Sequence, residues 1–122
     1  MRLLVIDDDP LQLELIDRAL SRDGFQVCCV SSVHALEADV RATSGSNRLV
    51  DVNMPNVEPE QVLDAVRRAS RARVVLYSAS ERSKLRALAE RFGADGYISK
   101  DESVFSIGQR LRERNRGNDG AK

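Results

Sequence analysis

The sequence predicts an α/β domain, a five-stranded parallel sheet with five helices divided between its two faces. Three observations predict it. The apolar pattern switches repeatedly between short continuous runs and helical i, i+3, i+4, i+7 spacing. The short runs, Leu3-Leu4-Val5-Ile6 above all, are apolar at every position, as in strands covered on both faces. Strands also alternate with helical stretches of about ten to fifteen residues, the rhythm of parallel crossovers. With 122 residues the chain is sized for one domain, expected over 1–114, with a frayed polar tail at 115–122.

The elements follow in order. Leu3 to Ile6 is the first strand. Asp9-Pro10 starts a helix, Asp9 as N-cap and Pro10 at the first helical position, where its missing N–H costs nothing. That helix runs to about Arg22, with Leu13, Ile16 and Leu20 on one stripe and Leu11 and Leu15 beside it. Asp23-Gly24 ends it. Phe25 to Val30 is the second strand. Ser31 or Ser32 caps a second helix carrying Val33, Leu36 and Val40, which Thr43-Ser44-Gly45-Ser46 breaks. The third strand ends at Leu49-Val50-Asp51. Pro55 forces Met54 out of helical geometry, so Asn53-Met54-Pro55-Asn56 is a loop. Pro59 opens a third helix that buries Val62, Leu63 and Val66. Val74 to Tyr77 is the fourth strand. A fourth helix begins at Ser80 or Glu81, aligns Leu85, Leu88, Ala89 and Phe92, and stops at Gly93. Gly96 to Ser99 is the fifth strand. Asp101 or Glu102 starts the last helix, with Val104, Ile107 and Leu111 on one face.

Composition removes several functions. Nineteen Lys+Arg against nineteen Asp+Glu leave no net charge, which argues against binding nucleic acid by bulk electrostatics. Arg110, Arg112, Arg114 and Arg116 spread around the last helix and suit its C-terminal dipole, so they read as a solvated end. No apolar run approaches the ~20 residues of a membrane span, and three aspartates follow the apolar start too soon for a signal peptide. The expected location is therefore the cytoplasm. Cys28 and Cys29 are adjacent on a strand and point to opposite faces. They read as two buried reduced thiols, and His34 has no metal-binding companion.

In parallel sheets the working loops lie beyond the carboxyl ends of the strands. Collecting those ends gives Asp7 and Asp8 from the first strand, Asp51 from the third, Ser78 from the fourth and Lys100 from the fifth. Each alone is an ordinary cap, turn or surface residue. Together they are a cluster. Carboxylates about 5 Å apart repel by roughly 3 kcal/mol per pair at an effective dielectric of ~20, so the cluster requires a compensating cation or protonation. Lys100 supplies one charge, and a hard divalent cation such as Mg²⁺ would supply two more. Hydroxyl, ammonium and metal around one carboxylate make a site for phosphoryl oxygens, with Asp51 as nucleophile.

Four motifs carry a resemblance. Ile6-Asp7-Asp8-Asp9-Pro10, Asp51-Val52-Asn53-Met54-Pro55, Tyr77-Ser78-Ala79 and Gly93-Ala94-Asp95-Gly96-Tyr97-Ile98-Ser99-Lys100 resemble the receiver domain of bacterial two-component response regulators, in order and spacing, over nearly the whole chain. The resemblance implies a flavodoxin-like doubly wound sheet of strand order 2-1-3-4-5. It implies that Asp51 accepts a phosphoryl group from a histidine kinase, a phosphotransfer protein or a small acyl phosphate. Mg²⁺ would be held by Asp8, by Asp7 mostly through water, by Asp51 and by the backbone carbonyl of Asn53. Ser78 and Lys100 would each hold a phosphoryl oxygen, Asn53 and Ser80 would tune hydrolysis, and Asp9 would remain a cap. Ser78 and Tyr97 would form the switch that changes protein partners on the face of the fourth helix, fifth strand and last helix.

The sequence also departs from the family pattern. Ser46-Asn47-Arg48 is polar where the third strand is usually apolar, so that strand is expected to be short or irregular. Glu58-Pro59 replaces the usual Gly after the acceptor, Asp101 replaces the proline after the lysine, and Ser78 stands for the commoner Thr. The expected function is a single-domain response regulator signalling through a downstream protein target. The alternative is a receiver-like interaction module that never uses phosphate. An aspartate-nucleophile phosphatase fits less well, because its second acid is Asn53 here, a poor general acid.

Overall fold

The structure is a computed structural model that describes residues 2–32, 47–54, 57–69 and 73–112. Its strands are β1 (Arg2–Ile6), β2 (Gln26–Val30), β3 (Asn47–Asp51), β4 (Val74–Ser78) and β5 (Gly96–Ser99). Its α-helices are α1 (Pro10–Arg22), α2 (Pro59–Ala69) and α3 (Arg82–Phe92). A 3₁₀ turn, Val104–Ser106, runs into helical residues 107–112, and the two together are α4. The expected second helix (Val33, Leu36, Val40), its break at Thr43–Ser46, His34, Pro55, Asn56, Arg114, Arg116 and the tail at 115–122 lie outside the described residues. Four of the five expected helices are therefore described.

All strand pairs are parallel, in the order β2-β1-β3-β4-β5. Strand alternation sends successive side chains to opposite faces, so two core layers form. Leu4, Ile6, Val50 and Leu76 pack with Val62, Val66 and Leu85 of α2 and α3. Leu3, Val5, Leu49 and Val75 pack with Leu13, Ile16 and Leu20 of α1 and with Ile107 and Leu111 of α4. Covering both faces explains why β1 and β4 read as unbroken apolar runs.

The local signals that start and stop these elements act as expected, with three corrections. Asp9 accepts from the N–H of Leu11 at 3.0 Å and caps α1. Gly93 ends α3 in the left-handed conformation at φ 69°, which a residue without Cβ adopts at no steric cost. The last helix starts later than Asp101 or Glu102. Those two residues form a turn in which Ser99 Oγ accepts from Asp101 N and the Ser99 carbonyl from Glu102 N. Ser103 is the cap. The thiols are not both buried, because β2 is the sheet edge: Cys28 is half-buried and Cys29 exposed.

The third correction is β3. It is neither short nor irregular but five residues long and paired on both sides, Leu4 and Val74 flanking Arg48. Ladder hydrogen bonds use only backbone, so a polar side chain does not forbid the strand. The Arg48 N–H donates to the Arg73 carbonyl at 2.8 Å. The side chain is fully buried, and that burial pushes its pKa below the usual arginine value.

Candidate functional site

Register alone brings the chemistry together. Ile6 pairs with Val50, so Asp7 lies one residue beyond β1 beside Asp51, the last residue of β3. Asp51 pairs with Tyr77, and Ser78 pairs with Ser99, so Ser78 and Lys100 follow on the next two strands. Adjacent strands lie about 4.8 Å apart, which sets the scale of the cluster.

The carboxylates of Asp7, Asp8 and Asp51 each place an oxygen within 4.8 Å of the others. Asp7 is wholly buried and Asp51 is 2% exposed, whereas Asp8 faces solvent. Lys100 Nζ lies 3.1 Å from Asp7 Oδ2 and 3.3 Å from Asp51 Oδ2. It also sits 5.2 Å from the centre of the Tyr77 ring, whose hydroxyl accepts from Gln12 Nε2 at 2.8 Å. Asp7 Oδ1 accepts from the N–H of Asp9 at 3.0 Å, and Asp51 Oδ1 from the N–H of Asn53 at 2.9 Å. Each buried carboxylate thus has one oxygen on a backbone donor and one on the ammonium.

One ammonium does not balance two buried carboxylates. Burial pushes the Asp51 pKa up to about 6, against the pull of the Asn53 N–H and Lys100, and the Asp7 charge adds to the rise. Burial works against the Lys100 ammonium, yet the Asp51 and Asp7 charges outweigh it and raise its pKa. The residual negative charge and the all-oxygen donor set suit a hard divalent cation such as Mg²⁺, which takes one or two carboxylates and keeps several waters. Zinc would favour nitrogen or sulfur, and no such donor belongs to the cluster.

Beside this corner is a hydroxyl cluster. Asn53 Nδ2 donates to Ser78 Oγ at 2.6 Å and to Ser80 Oγ at 2.9 Å. Ser78 Oγ also accepts from the Ser80 N–H and donates to Ser80 Oγ, both at 3.1 Å. Ser78 is buried, Asn53 exposed and Ser80 half-buried, so the cluster lines the route from solvent. Tyr97 is half-buried on β5 and packs against the α2–α3 core layer.

The structure thus brings Asp7, Asp8, Asp51 and Lys100 into one corner and Ser78, Asn53 and Ser80 into the adjoining network. Sequence reasoning missed the Tyr77 ring near Lys100. It also missed Glu102, two residues past Lys100, which pairs with Arg110 and lies 4.0 Å from Arg82. Glu102 links the start of α3 to α4, and only tertiary contact reveals that.

The fold and its acidic carboxyl edge define a doubly wound α/β domain of the kind the motifs resemble. Residues 3–112 match the family described as response regulator receiver domain, and the chain belongs to that family. It is 33% identical over 110 residues to the transcriptional activator protein PfeR of Pseudomonas aeruginosa, covering 89% of this chain and 36% of that protein. It is 30% identical over 114 residues to the uncharacterized transcriptional regulatory protein YcbL of Bacillus subtilis, covering 89% of this chain and 48% of that protein. The chain thus spans less than half the length of these two relatives. Among solved structures, a response regulator receiver domain protein from Clostridium thermocellum superposes with a TM-score of 0.79 at 22% identity, covering 96% of each chain. The receiver domain of Francisella response regulator 1452 gives 0.80 at 18% identity, covering 96% of this chain and 98% of that one. At these identities the structural likeness shows the fold alone.

Proposed function

We propose that this receiver domain is a phosphoryl-accepting signalling module whose acceptor is Asp51. The observation that carries the reading is a buried carboxylate held between Lys100 at 3.3 Å and the Asn53 N–H at 2.9 Å, with a second acid shared on the same ammonium. An oxygen of Asp51 attacks phosphorus. The bond to the donor breaks, and the electron pair leaves on a histidine nitrogen of a sensor kinase or phosphotransfer protein, or on the carboxylate of an acyl phosphate. Lys100 and the Ser78 hydroxyl take the phosphoryl oxygens. Asp7, Asp8, Asp51 and the Asn53 carbonyl would hold Mg²⁺, which when bound would neutralise charge on the transferring group. Asn53 and Ser80 tune hydrolysis of the acyl phosphate, so the only turnover is self-phosphorylation and self-dephosphorylation.

The Ser78–Tyr97 pair converts occupancy into a change of the surface formed by α3, β5 and α4, which engages a downstream protein. The receiver unit spans 1–114 and acts in the cytoplasm. Among the described residues no helix is long and apolar enough to cross a membrane. The phosphate-independent alternative drew its support from a disrupted third strand, and β3 is regular through Asp51.

Incubation with acetyl phosphate and Mg²⁺, followed by intact-mass measurement, tests the reading. One added phosphoryl group that is absent in Asp51→Ala is the expected result. An unchanged mass, together with no response to beryllofluoride and Mg²⁺, sinks it.

A further inference from the structure

Between the start of α2 and the first turns of α3 lies a cavity of about 190 Å³. Its polar lining is Asn53, Ser80 and Lys84, and its apolar lining includes Val52, Leu85 and Leu88. The phosphoryl chemistry above uses Asn53 and Ser80 but gives no role to the cavity or to Lys84. Lys84 is exposed and, among the described residues, forms no ion pair.

Asn53 joins this space to the acceptor. Its backbone N–H holds Asp51 Oδ1, its side-chain amide holds Ser78 and Ser80, and its side chain lines the cavity. Displacement at phosphorus is roughly in line, so the departing group lies beyond the phosphorus from the Asp51 oxygen; Asn53 and Ser80, at the solvent side of the acceptor, also line the cavity. A space of this size suits a small occupant. The apolar residues suit a short hydrocarbon, and the ammonium suits an anion.

We propose that this cavity is the leaving-group subsite for a small acyl phosphate, a short acyl chain lying against Val52, Leu85 and Leu88 and its carboxylate pairing with Lys84. The assignment rests on Asp51 being the phosphoryl acceptor. In the step, the Asp51 oxygen–phosphorus bond forms and the acyl oxygen–phosphorus bond breaks. The electron pair departs on the carboxylate, and no proton is required. A neutral leaving group, such as a histidine ring or the ammonia of phosphoramidate, gains nothing comparable from Lys84. The cavity therefore discriminates between donors.

The test compares acetyl phosphate with phosphoramidate on the full chain with Mg²⁺, reading initial rates by intact mass. Lys84→Gln should slow transfer from acetyl phosphate about two- to fivefold, the scale of an exposed ion pair, and leave phosphoramidate unchanged. Lys84→Arg should restore the rate. Equal slowing with both donors, or with neither, overturns the cavity assignment and leaves Asp51 as acceptor untouched. A wild type that accepts from neither donor overturns the acceptor reading and this one with it. Titration with acetonylphosphonate, which has no transferable phosphoryl group, adds a readout that needs no turnover. The amides of Ser80, Lys84 and Leu88 should shift in the wild type, and unmoved amides overturn the subsite.

Discussion

The two ends of β3 bury opposite charges by opposite means. At the carboxyl end, Asp51 is 2% exposed and shares Lys100 with Asp7, and its pKa is raised by burial. Three residues earlier, Arg48 is fully buried, with its pKa lowered by burial. The first end opens to solvent through Asp8 and Asn53 and can recruit a cation from it. The second sits between Leu4 and Val74 in the middle of the sheet. The two ends should therefore answer mutation differently.

The largest effect is expected at the root. Arg48 is the largest of the fully buried side chains, so Arg48→Ala leaves a cavity and should cost about 3 kcal/mol or more. Arg48→Met keeps most of the volume and should cost clearly less than Arg48→Ala. Urea denaturation of both variants checks this. Equal losses would mean that the charge, not the volume, matters, and the contrast between the two ends would fail.

A smaller effect of opposite sign is expected at the mouth. The folded pKa of Asp51, about 6, stands above its ordinary 3.8. Its contribution is therefore fully present below about pH 4 and is lost as pH rises through 6. At pH 7 the carboxylate is a burden. Asp51→Asn should stabilise the domain by about 2 kcal/mol at pH 7 and by little at pH 4, as denaturation midpoints across that range would show. Adding Mg²⁺ should narrow the difference by stabilising only the wild type. A gap that ignores pH would contradict the geometry of the corner.

The smallest expected effect separates fold from site within the acidic run. Asp9 caps α1 through Leu11 N, so Asp9→Ala should cost about 1 kcal/mol while leaving Mg²⁺ affinity unchanged. Tyrosine fluorescence during Mg²⁺ titration would expose any role for Asp9 in the metal site.

The convergence of Asp7, Asp51, Ser78 and Lys100 was legible because it needs only strand ends and parallel register. The caps at Asp9 and Gly93 were legible because their cause is local. What escaped the sequence was tertiary. The implied order 2-1-3-4-5 puts β2 at the edge, yet the apolar run around Cys28-Cys29 reads as core, so the exposure of Cys29 is missed. The start of α4 was displaced to Ser103 because Ser99 closes a turn through Asp101 and Glu102. The polarity of Arg48 suggested a broken strand, yet backbone pairing on both sides held it regular. The resemblance gives Asn53 and Ser80 hydrolysis-tuning roles and Asn53 a carbonyl for the metal, but their joint hold on the Ser78 hydroxyl is visible only in three dimensions.

That hold has a consequence. A serine hydroxyl owns a single hydrogen, and here it points at Ser80 Oγ while two N–H groups occupy the oxygen's lone pairs. Any oxyanion arriving over Asp51 can recruit this hydrogen only by unmaking its bond to Ser80, a trade of about 1 kcal/mol net. The segment leading into α3 therefore feels the event at Asp51 as the loss of one restraint. A relay of this kind needs no moving domain, only one proton with two claimants.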